Sequence, residues 1–186
     1  QKTSVRLALK ELSSAFEEAK ADISGLWALQ YLADKGVIPK SMQETLYDTF
    51  LASAFRTLRF GIGEAHGKGM AMQLNWLLDQ GGVKVSKGGT FSVAPDKIRA
   101  AVTSLTTEIM AIQARGDYAA AFEFGKLALA VNARFDDRRL RAKIYQQFHA
   151  HANFWRQPWS TCLPYAREAS RSGFESGDFT YGIYGA

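Results

Sequence analysis

A single apolar stripe near the start of the chain constrains the fold more than any other feature. Apolar residues recur there at alternating steps of four and three: Val5, Leu9, Leu12, Phe16, Ala19, Ile23 and Leu26. This spacing is typical of one buried face of an α-helix. We therefore predict a continuous amphipathic helix from about Ser4 to Asp34, ended by Lys35-Gly36, with the stripe facing the core.

Two carboxylates lie on another side of this predicted helix. Glu18 and Asp22 are four residues apart, which places them one turn apart on the same face. Like charges at this spacing destabilise a helix by about 0.2–0.5 kcal/mol unless a cation lies between them. The spacing alone leaves two interpretations open. Both residues belong to a solvated flank, or both present oxygens to one ligand.

The remaining patterns predict a mainly α fold, a helical bundle or set of helical hairpins with one small β-hairpin near residues 83–93. Ser41 and Glu44 have the spacing of a capping box and predict the start of the second helix. Residues 83–93 alternate apolar and polar about the turn Lys87-Gly88-Gly89, which predicts the hairpin. A later helical stripe is expected to end at Gly116, because glycine commonly follows the last turn of a helix.

Composition limits the class of protein. The 186 residues are 47% hydrophobic, enough for one domain or two small ones, and the net charge is only +5. Basic residues cluster only at 138–143, interpreted as solvated helix charge, so we expect no nucleic-acid partner. One cysteine, Cys162, excludes an intramolecular disulfide and indicates a reducing, cytoplasmic location. No leader or membrane-length apolar run is seen, and both ends, Gln1 and Ala186, predict a piece cut from a longer protein.

Five segments within the first 118 residues carry a family resemblance. They are Phe16-Glu17-Glu18-Ala19-Lys20-Ala21-Asp22-Ile23, Gln30-Tyr31-Leu32-x-Asp34-Lys35-Gly36, Phe55-Arg56-x-x-Arg59-Phe60-Gly61, Glu64-Ala65-His66-Gly67-Lys68-Gly69-Met70, and Leu105-Thr106-x-Glu108-Ile109 followed by Gly116-Asp117-Tyr118. Together they resemble the dipeptidyl peptidase III family of zinc exopeptidases, whose Glu-Glu-x-x-Ala-Glu/Asp segment matches the first.

The resemblance implies roles for three residues. Glu18, the second Glu of the pair, corresponds to a zinc ligand. Asp22 corresponds to a carboxylate that orients a ligand histidine. His66 corresponds to a histidine of the active cleft that contacts substrate and the transition state, although a surface histidine at a helix start is equally consistent with the sequence. The resemblance also implies, more weakly, that Lys68 contacts substrate.

One part of the family's metal site is missing from this sequence. The other two zinc ligands and the general base come, in the family, from a His-Glu-x-x-Gly-His helix, whereas no His-Glu pair occurs in these 186 residues. A catalytic zinc site needs three protein ligands and an open position. Zinc, implied by the resemblance, is therefore expected to bind this chain weakly or not at all, and we do not expect catalysis by the chain alone.

Beyond about Tyr118 the sequence resembles tetratricopeptide-like helical repeats of bacterial signalling ATPase and kinase proteins. The resemblance is carried by segments such as Phe154-Trp155-Arg156-x-Pro158, and by an echo of Gly116-Asp117-Tyr118 in Gly177-Asp178-Phe179. We therefore predict two segments, 1–116 peptidase-like and 117–186 helical-repeat-like, and the sequence leaves open whether they share one core. Expected helices span about 118–134, 138–156 and 160–175.

Three hypotheses about function follow. The chain is a fragment of a zinc dipeptidyl peptidase, a helical-repeat module or scaffold that binds a peptide or protein, or a chimera of the two. Aromatic residues crowd the last third, and at helical spacing they are more typical of core packing than of base stacking. The sequence predicts no oligomeric state.

Overall fold

The described residues fold mainly into α-helices, as predicted. The structure is a computed structural model and describes residues 4–124, 126, 138–153 and 157–184. Within these residues the helices and strands are α1 (Val5–Leu9), α2 (Ser13–Asp34), α3 (Lys40–Leu58), α4 (Ala65–Asp79), β1 (Val83–Val85), β2 (Phe91–Val93), α5 (Ile98–Arg115), α6 (Arg138–Phe148), α7 (Leu163–Ser176) and α8 (Phe179–Tyr184). None of the helices in the described ranges has the length and apolar character needed to cross a bilayer.

The first helix is interrupted, so the prediction of one continuous helix from Ser4 to Asp34 was wrong. Lys10 has φ 51°, unusual for a residue with a side chain, and Lys10–Leu12 form a 3-10 turn between α1 and α2. Contacts from the later chain offset the cost. Tyr118 Oη donates a hydrogen bond of 2.5 Å to Glu11, and the Lys10 ammonium lies 4.9 Å from the centre of the Tyr118 ring.

The predicted apolar stripe forms the centre of the core despite this break. Six of its seven residues are buried, and Val5 packs against them half-buried. The largest completely buried side chains around the stripe come from α1, α2, α4 and α5: Leu9, Phe16, Ile23, Leu74, Leu77, Leu105, Ile109 and Ile112. α2 therefore lies in the middle of the helices and contacts α3, α4 and α5.

The second helix begins without the predicted capping box. α3 starts at Lys40 after Pro39, which has an extended backbone and no side-chain cap, so Ser41 already lies within the first turn. The β-hairpin prediction is confirmed. Val83 pairs with Val93 and Val85 with Phe91 in an antiparallel register, and the Phe91 ring packs 4.7 Å from that of Phe55 on α3.

Residues after Gly116 pack on the same core as the residues before it. Gly116 ends α5 with φ 61°, as predicted, and residues 118–124 are helical. The Phe124 ring lies 5.9 Å from Phe16 of α2 and 5.2 Å from Trp76 of α4. Both predicted segments thus contribute to one apolar cluster, while the division at residue 116 stays a prediction.

The described residues of the last third form helices that pack on one another. α6 continues into a π-helical stretch, His149–Asn153, and a 3-10 turn, Trp159–Cys162, leads into α7. Here α7 and α8 approach closely, because a Cβ on Gly173 would lie 2.4 Å from the Cα of Gly182. The predicted helices at 138–156 and 160–175 are confirmed within the described residues, whereas residues 127–134 and 154–156 lie outside them.

The similar segments Gly116-Asp117-Tyr118 and Gly177-Asp178-Phe179 also have similar local structures. Gly177 has φ 77°, like the left-handed Gly116. After each glycine an aspartate accepts a hydrogen bond from the backbone three residues on, Asp117 from Ala120 at 3.0 Å and Asp178 from Tyr181 at 3.4 Å. A left-handed glycine followed by an aspartate cap is a common way to join two helices, so the echo does not by itself identify a repeat family.

An ionic cluster joins α6 to α7, and it yields a prediction about pH. Burial of Glu168 raises the pKa of its carboxyl, but hydrogen bonds from Arg171 and Ser172 and the charges of Arg171 and Arg141 outweigh burial, so the pKa is lowered overall. A carboxyl whose pKa is lower in the folded state stabilises the fold above its unfolded pKa, and this contribution is lost as pH falls through the folded pKa.

We therefore expect Glu168→Gln to lower the free energy of unfolding by about 1–2 kcal/mol near neutral pH. The deficit should shrink as the pH falls through the acid range, measured by denaturant unfolding at several pH values. Glu175→Gln is the matched control, because Glu175 is exposed and its ion pair within the described residues is with Arg171 of its own helix, at 2.9 Å. An equal deficit of Glu168→Gln at neutral and acid pH would contradict the prediction.

Candidate functional site

The candidate site lies where α2 and α4 cross in close contact. A Cβ added at Gly69 of α4 would lie 2.9 Å from the carbonyl oxygen of Ala15 and 3.1 Å from the backbone nitrogen of Ala19, both on α2. Only glycine allows so close an approach. It brings His66 and Gln73, two turns apart on α4, against Glu18 and Asp22, one turn apart on α2.

Each of the two predicted carboxylates meets a side chain of α4. Nδ1 of His66 lies 3.0 Å from Oε2 of Glu18, and both side chains remain open to solvent, 70% and 36% exposed respectively. Gln73 Nε2 donates to Asp22 Oδ2 at 3.2 Å. The three residues predicted for the site, Glu18, Asp22 and His66, are therefore brought together on one surface.

Gln73 was missed in the sequence. Its side chain is completely buried, and its Nε2 also donates to the carbonyl oxygen of Gly69 at 3.2 Å, which fixes the amide above α2. Buried polar side chains in a helix usually have a definite partner. The sequence did contain a signal. Gln73 lies among the apolar residues Met70, Leu74 and Leu77, a pattern that indicates a buried position.

The neighbouring Glu17 has a separate role. Its carboxylate accepts hydrogen bonds from Lys20 at 2.6 Å and from Gln113 of α5 at 2.8 Å. Through Gln113, Glu17 contacts α5, whereas Glu18 contacts His66 on α4. The structure thus distinguishes the two glutamates of the pair: Glu17 contacts α5, and Glu18 contacts His66 in the candidate site.

An open groove of about 720 Å³ runs beside this cluster between α2, α3 and α4. Its lining residues are Asp22, Phe50, Ser53, Arg56, Thr57, Arg59, Phe60, His66 and Met70. The volume is in the range of small-molecule and short-peptide sites. His66 connects the groove to Glu18, because its ring lines the groove and touches the carboxylate.

Lys68 is not part of this groove. It lies two residues after His66 and therefore on another side of α4. Its surroundings lower the pKa of its ammonium group through burial, while the charges of Glu64 and Glu11 act in the opposite direction. The weaker prediction that Lys68 contacts a ligand together with His66 is not supported by this placement.

The described residues do not form a complete zinc site. Within the ranges that the structure describes, no group of three or more His, Cys, Asp or Glu side chains is placed to hold a metal ion. Glu18 and His66 supply two adjacent ligand atoms, one fewer than the three protein ligands of a catalytic zinc. Zinc chemistry therefore cannot be assigned to these residues alone.

The other candidate residues lie away from the groove. Cys162 is buried, with its sulfur 3.4 Å from Asn153 Nδ2 and 3.5 Å from the carbonyl oxygen of His149. Exposed aromatic and aliphatic residues are found on the last helices: Phe174, Phe179, Ile183 and Tyr184.

Two solved structures are similar to this chain. The chain resembles the dipeptidyl-peptidase III of Corallococcus sp. strain EGB, with 48% identity and a TM-score of 0.68 over 96% of this chain and 30% of that one. It resembles DPP III from Caldithrix abyssi, with 37% identity and a TM-score of 0.66 over 73% of this chain and 27% of that one. No family model matches.

A curated relative is Nudix hydrolase 3 of Arabidopsis thaliana, 53% identical over 121 residues, which are 65% of this chain and 16% of that protein. The chain thus spans less than a third of each of these relatives. The comparisons support the resemblance to dipeptidyl peptidase III and give no support for tetratricopeptide-like repeats. The sequence analysis predicted that the likeness to the peptidases ends near Tyr118. The Corallococcus comparison covers 96% of the chain and so extends beyond that residue.

Proposed function

We propose that this chain is the segment of a dipeptidyl peptidase III-like protein that carries one carboxylate ligand and the substrate-contacting histidine, and that it does not hydrolyse peptides alone. The observation that supports this proposal is the contact between Glu18 Oε2 and His66 Nδ1 at 3.0 Å. It joins the two residues whose family counterparts act on metal and substrate, in a chain 48% identical to a solved dipeptidyl-peptidase III.

Each site residue has a task that its contacts suit. Glu18 presents a carboxylate at the mouth of the groove, where a ligand can reach it. Asp22, held by the buried Gln73, keeps a second carboxylate in a fixed orientation one turn away, as residues that orient ligand side chains do. His66, largely exposed, can donate to a polar group of a peptide in the groove.

A first experiment uses the isolated chain. We expect no hydrolysis of a dipeptidyl-naphthylamide with or without added zinc, and no stoichiometric zinc in competition with a chromophoric chelator, because the described residues supply too few ligands. Zinc-dependent hydrolysis that disappears in Glu18→Gln would show that the isolated chain completes the site, and would overturn this part of the proposal.

A second experiment tests the positive part. The chain replaces the matching segment of the Corallococcus dipeptidyl-peptidase III, and hydrolysis by the hybrid is measured. We expect the hybrid to hydrolyse the substrate, Glu18→Gln to remove that activity, and Asp22→Asn to lower it about 10–100-fold. The matched control is Glu17→Gln, since Glu17 contacts Lys20 and Gln113 instead. A folded hybrid in which Glu18→Gln and Glu17→Gln behave alike would refute the assignment.

The alternative function, a helical-repeat module or scaffold for a protein partner, and the chimera hypothesis receive no support from the comparisons. Location in the cytoplasm, indicated by the single cysteine, stays part of the proposal. A peptide remains the partner that the groove suits best, because its walls combine apolar, hydroxyl and charged groups within one short cleft.

A further inference from the structure

One wall of the groove is a single face of α3 and the turn after it. Phe50, Ser53 and Thr57 follow one another at steps of three and four, and so lie on one face. Arg56 and Phe60 extend the same face toward and beyond the end of the helix, and all five line the groove. The apolar rings and hydroxyl groups alternate with charge along this wall.

Two arginines of this wall have no acidic partner among the residues that the structure describes. Arg56 and Arg59 are exposed, and no carboxylate of the described residues lies within ion-pair distance of either guanidinium. By contrast Arg99 pairs with Asp34, and Arg171 with Glu168 and Glu175. The Arg59 guanidinium lies 4.6 Å from the centre of the Phe60 ring, which holds it at the edge of the groove.

The opposite wall has the other sign of charge. Asp22 lines it directly, and Glu18 lies behind His66. The groove is therefore basic along α3 and acidic along α2. A polyanion such as a nucleic acid would place phosphates against Asp22 and Glu18 as well as against the arginines, which like-charge repulsion disfavours. A ligand with a single carboxylate among neutral groups avoids this repulsion.

We infer that Arg56 and Arg59 form a binding site for a carboxylate of a peptide in the groove, so that peptides with an acidic residue or a free carboxyl terminus are preferred. Two guanidinium groups on one edge offer several N–H donors in the planar arrangement that a carboxylate accepts. The inference rests on the proposed function in one respect, namely that the ligand is a peptide. It does not depend on a metal.

The test is a titration of the chain with three tetrapeptides. Binding is measured through the changes in the chain's amide chemical shifts. The peptides are Ala-Ala-Asp-Ala amide, its neutral isostere Ala-Ala-Asn-Ala amide, and Ala-Ala-Asn-Ala with a free carboxyl terminus. We expect at least one of the two carboxylate-bearing peptides to bind about 5–10-fold more tightly than the neutral peptide, as two exposed charged contacts allow. The difference should shrink at high salt.

Variants identify the groups responsible. Arg56→Gln with Arg59→Gln should remove the preference, whereas Arg6→Gln with Arg167→Gln, an equal loss of charge at exposed arginines outside the groove, should keep it. Denaturant unfolding of both double variants checks that each is folded. Equal binding of all three peptides, or a preference that survives the first double variant, overturns the inference. Neither result bears on the Glu18 hybrid, which tests the proposed function separately.

Discussion

Replacing Phe16 by alanine is expected to lower the free energy of unfolding by about 3–5 kcal/mol, the cost of deleting a buried aromatic ring. Phe16 is completely buried in α2, and its ring lies 5.9 Å from that of Phe124. The loss therefore includes contacts on both sides of Gly116. The measurement is urea or guanidinium unfolding followed by circular dichroism, compared with the unchanged chain.

Phe60→Ala is the matched control, because the same ring at position 60 is 71% exposed and its removal should have little effect on stability. A companion variant, Phe124→Ala, tests the shared core. If the residues on either side of Gly116 unfold as one unit, both core variants shift a single transition. Two separate transitions, only one of which responds to Phe16→Ala, would contradict this expectation and favour independent segments.

Replacing Gly67 by alanine is expected to destabilise the chain by about 1–3 kcal/mol, the usual cost of forcing an extra methyl group into a packed site. A Cβ at this position would lie 2.1 Å from the carbonyl oxygen of Gly61 and 3.1 Å from the Cα of Ile62. Both are backbone atoms, so the first turn of α4 must move. His66 is the preceding residue and should move with it, away from Glu18.

Gly25→Ala provides the matched control for this substitution. Gly25 is also helical, but nothing lies within 4 Å of a Cβ built there. Alanine at such a position is expected to stabilise the chain by about 0.4–1 kcal/mol. The pair is measured by denaturant unfolding and by the chemical shifts of the His66 ring. Equal effects of the two substitutions would show that α4 tolerates displacement against residues 61–62.

The fold was predictable where a pattern repeated over several turns or followed from one backbone requirement. The stripe of α2 fixed which face is buried, and the glycines at 36, 89 and 116 marked ends and turns because each has a positive φ. Glu18, Asp22 and His66 could be placed in one site only through the family resemblance, since their spacing along the sequence says nothing about the crossing of α2 and α4.

The rest depended on contacts between distant parts of the chain. The break at Lys10 is stabilised by Tyr118, more than a hundred residues later, and no local pattern announces it. The start of α3 at Lys40 shows that Pro39 can outweigh the spacing of Ser41 and Glu44. The apolar neighbours of Gln73 indicate burial, but its partner Asp22, 51 residues earlier, is given only by the packing of α4 on α2.

The double use of α2 has a consequence for how such a protein can change during evolution. Positions 16, 19 and 23 fill the interior, while positions 18 and 22, interleaved with them, face the ligand groove or its rim. A substitution that repacks the interior tilts the helix and so shifts both carboxylates together. Under the proposed function, we therefore expect variation at these interior positions to be restricted by selection, although all three are buried and none lines the groove.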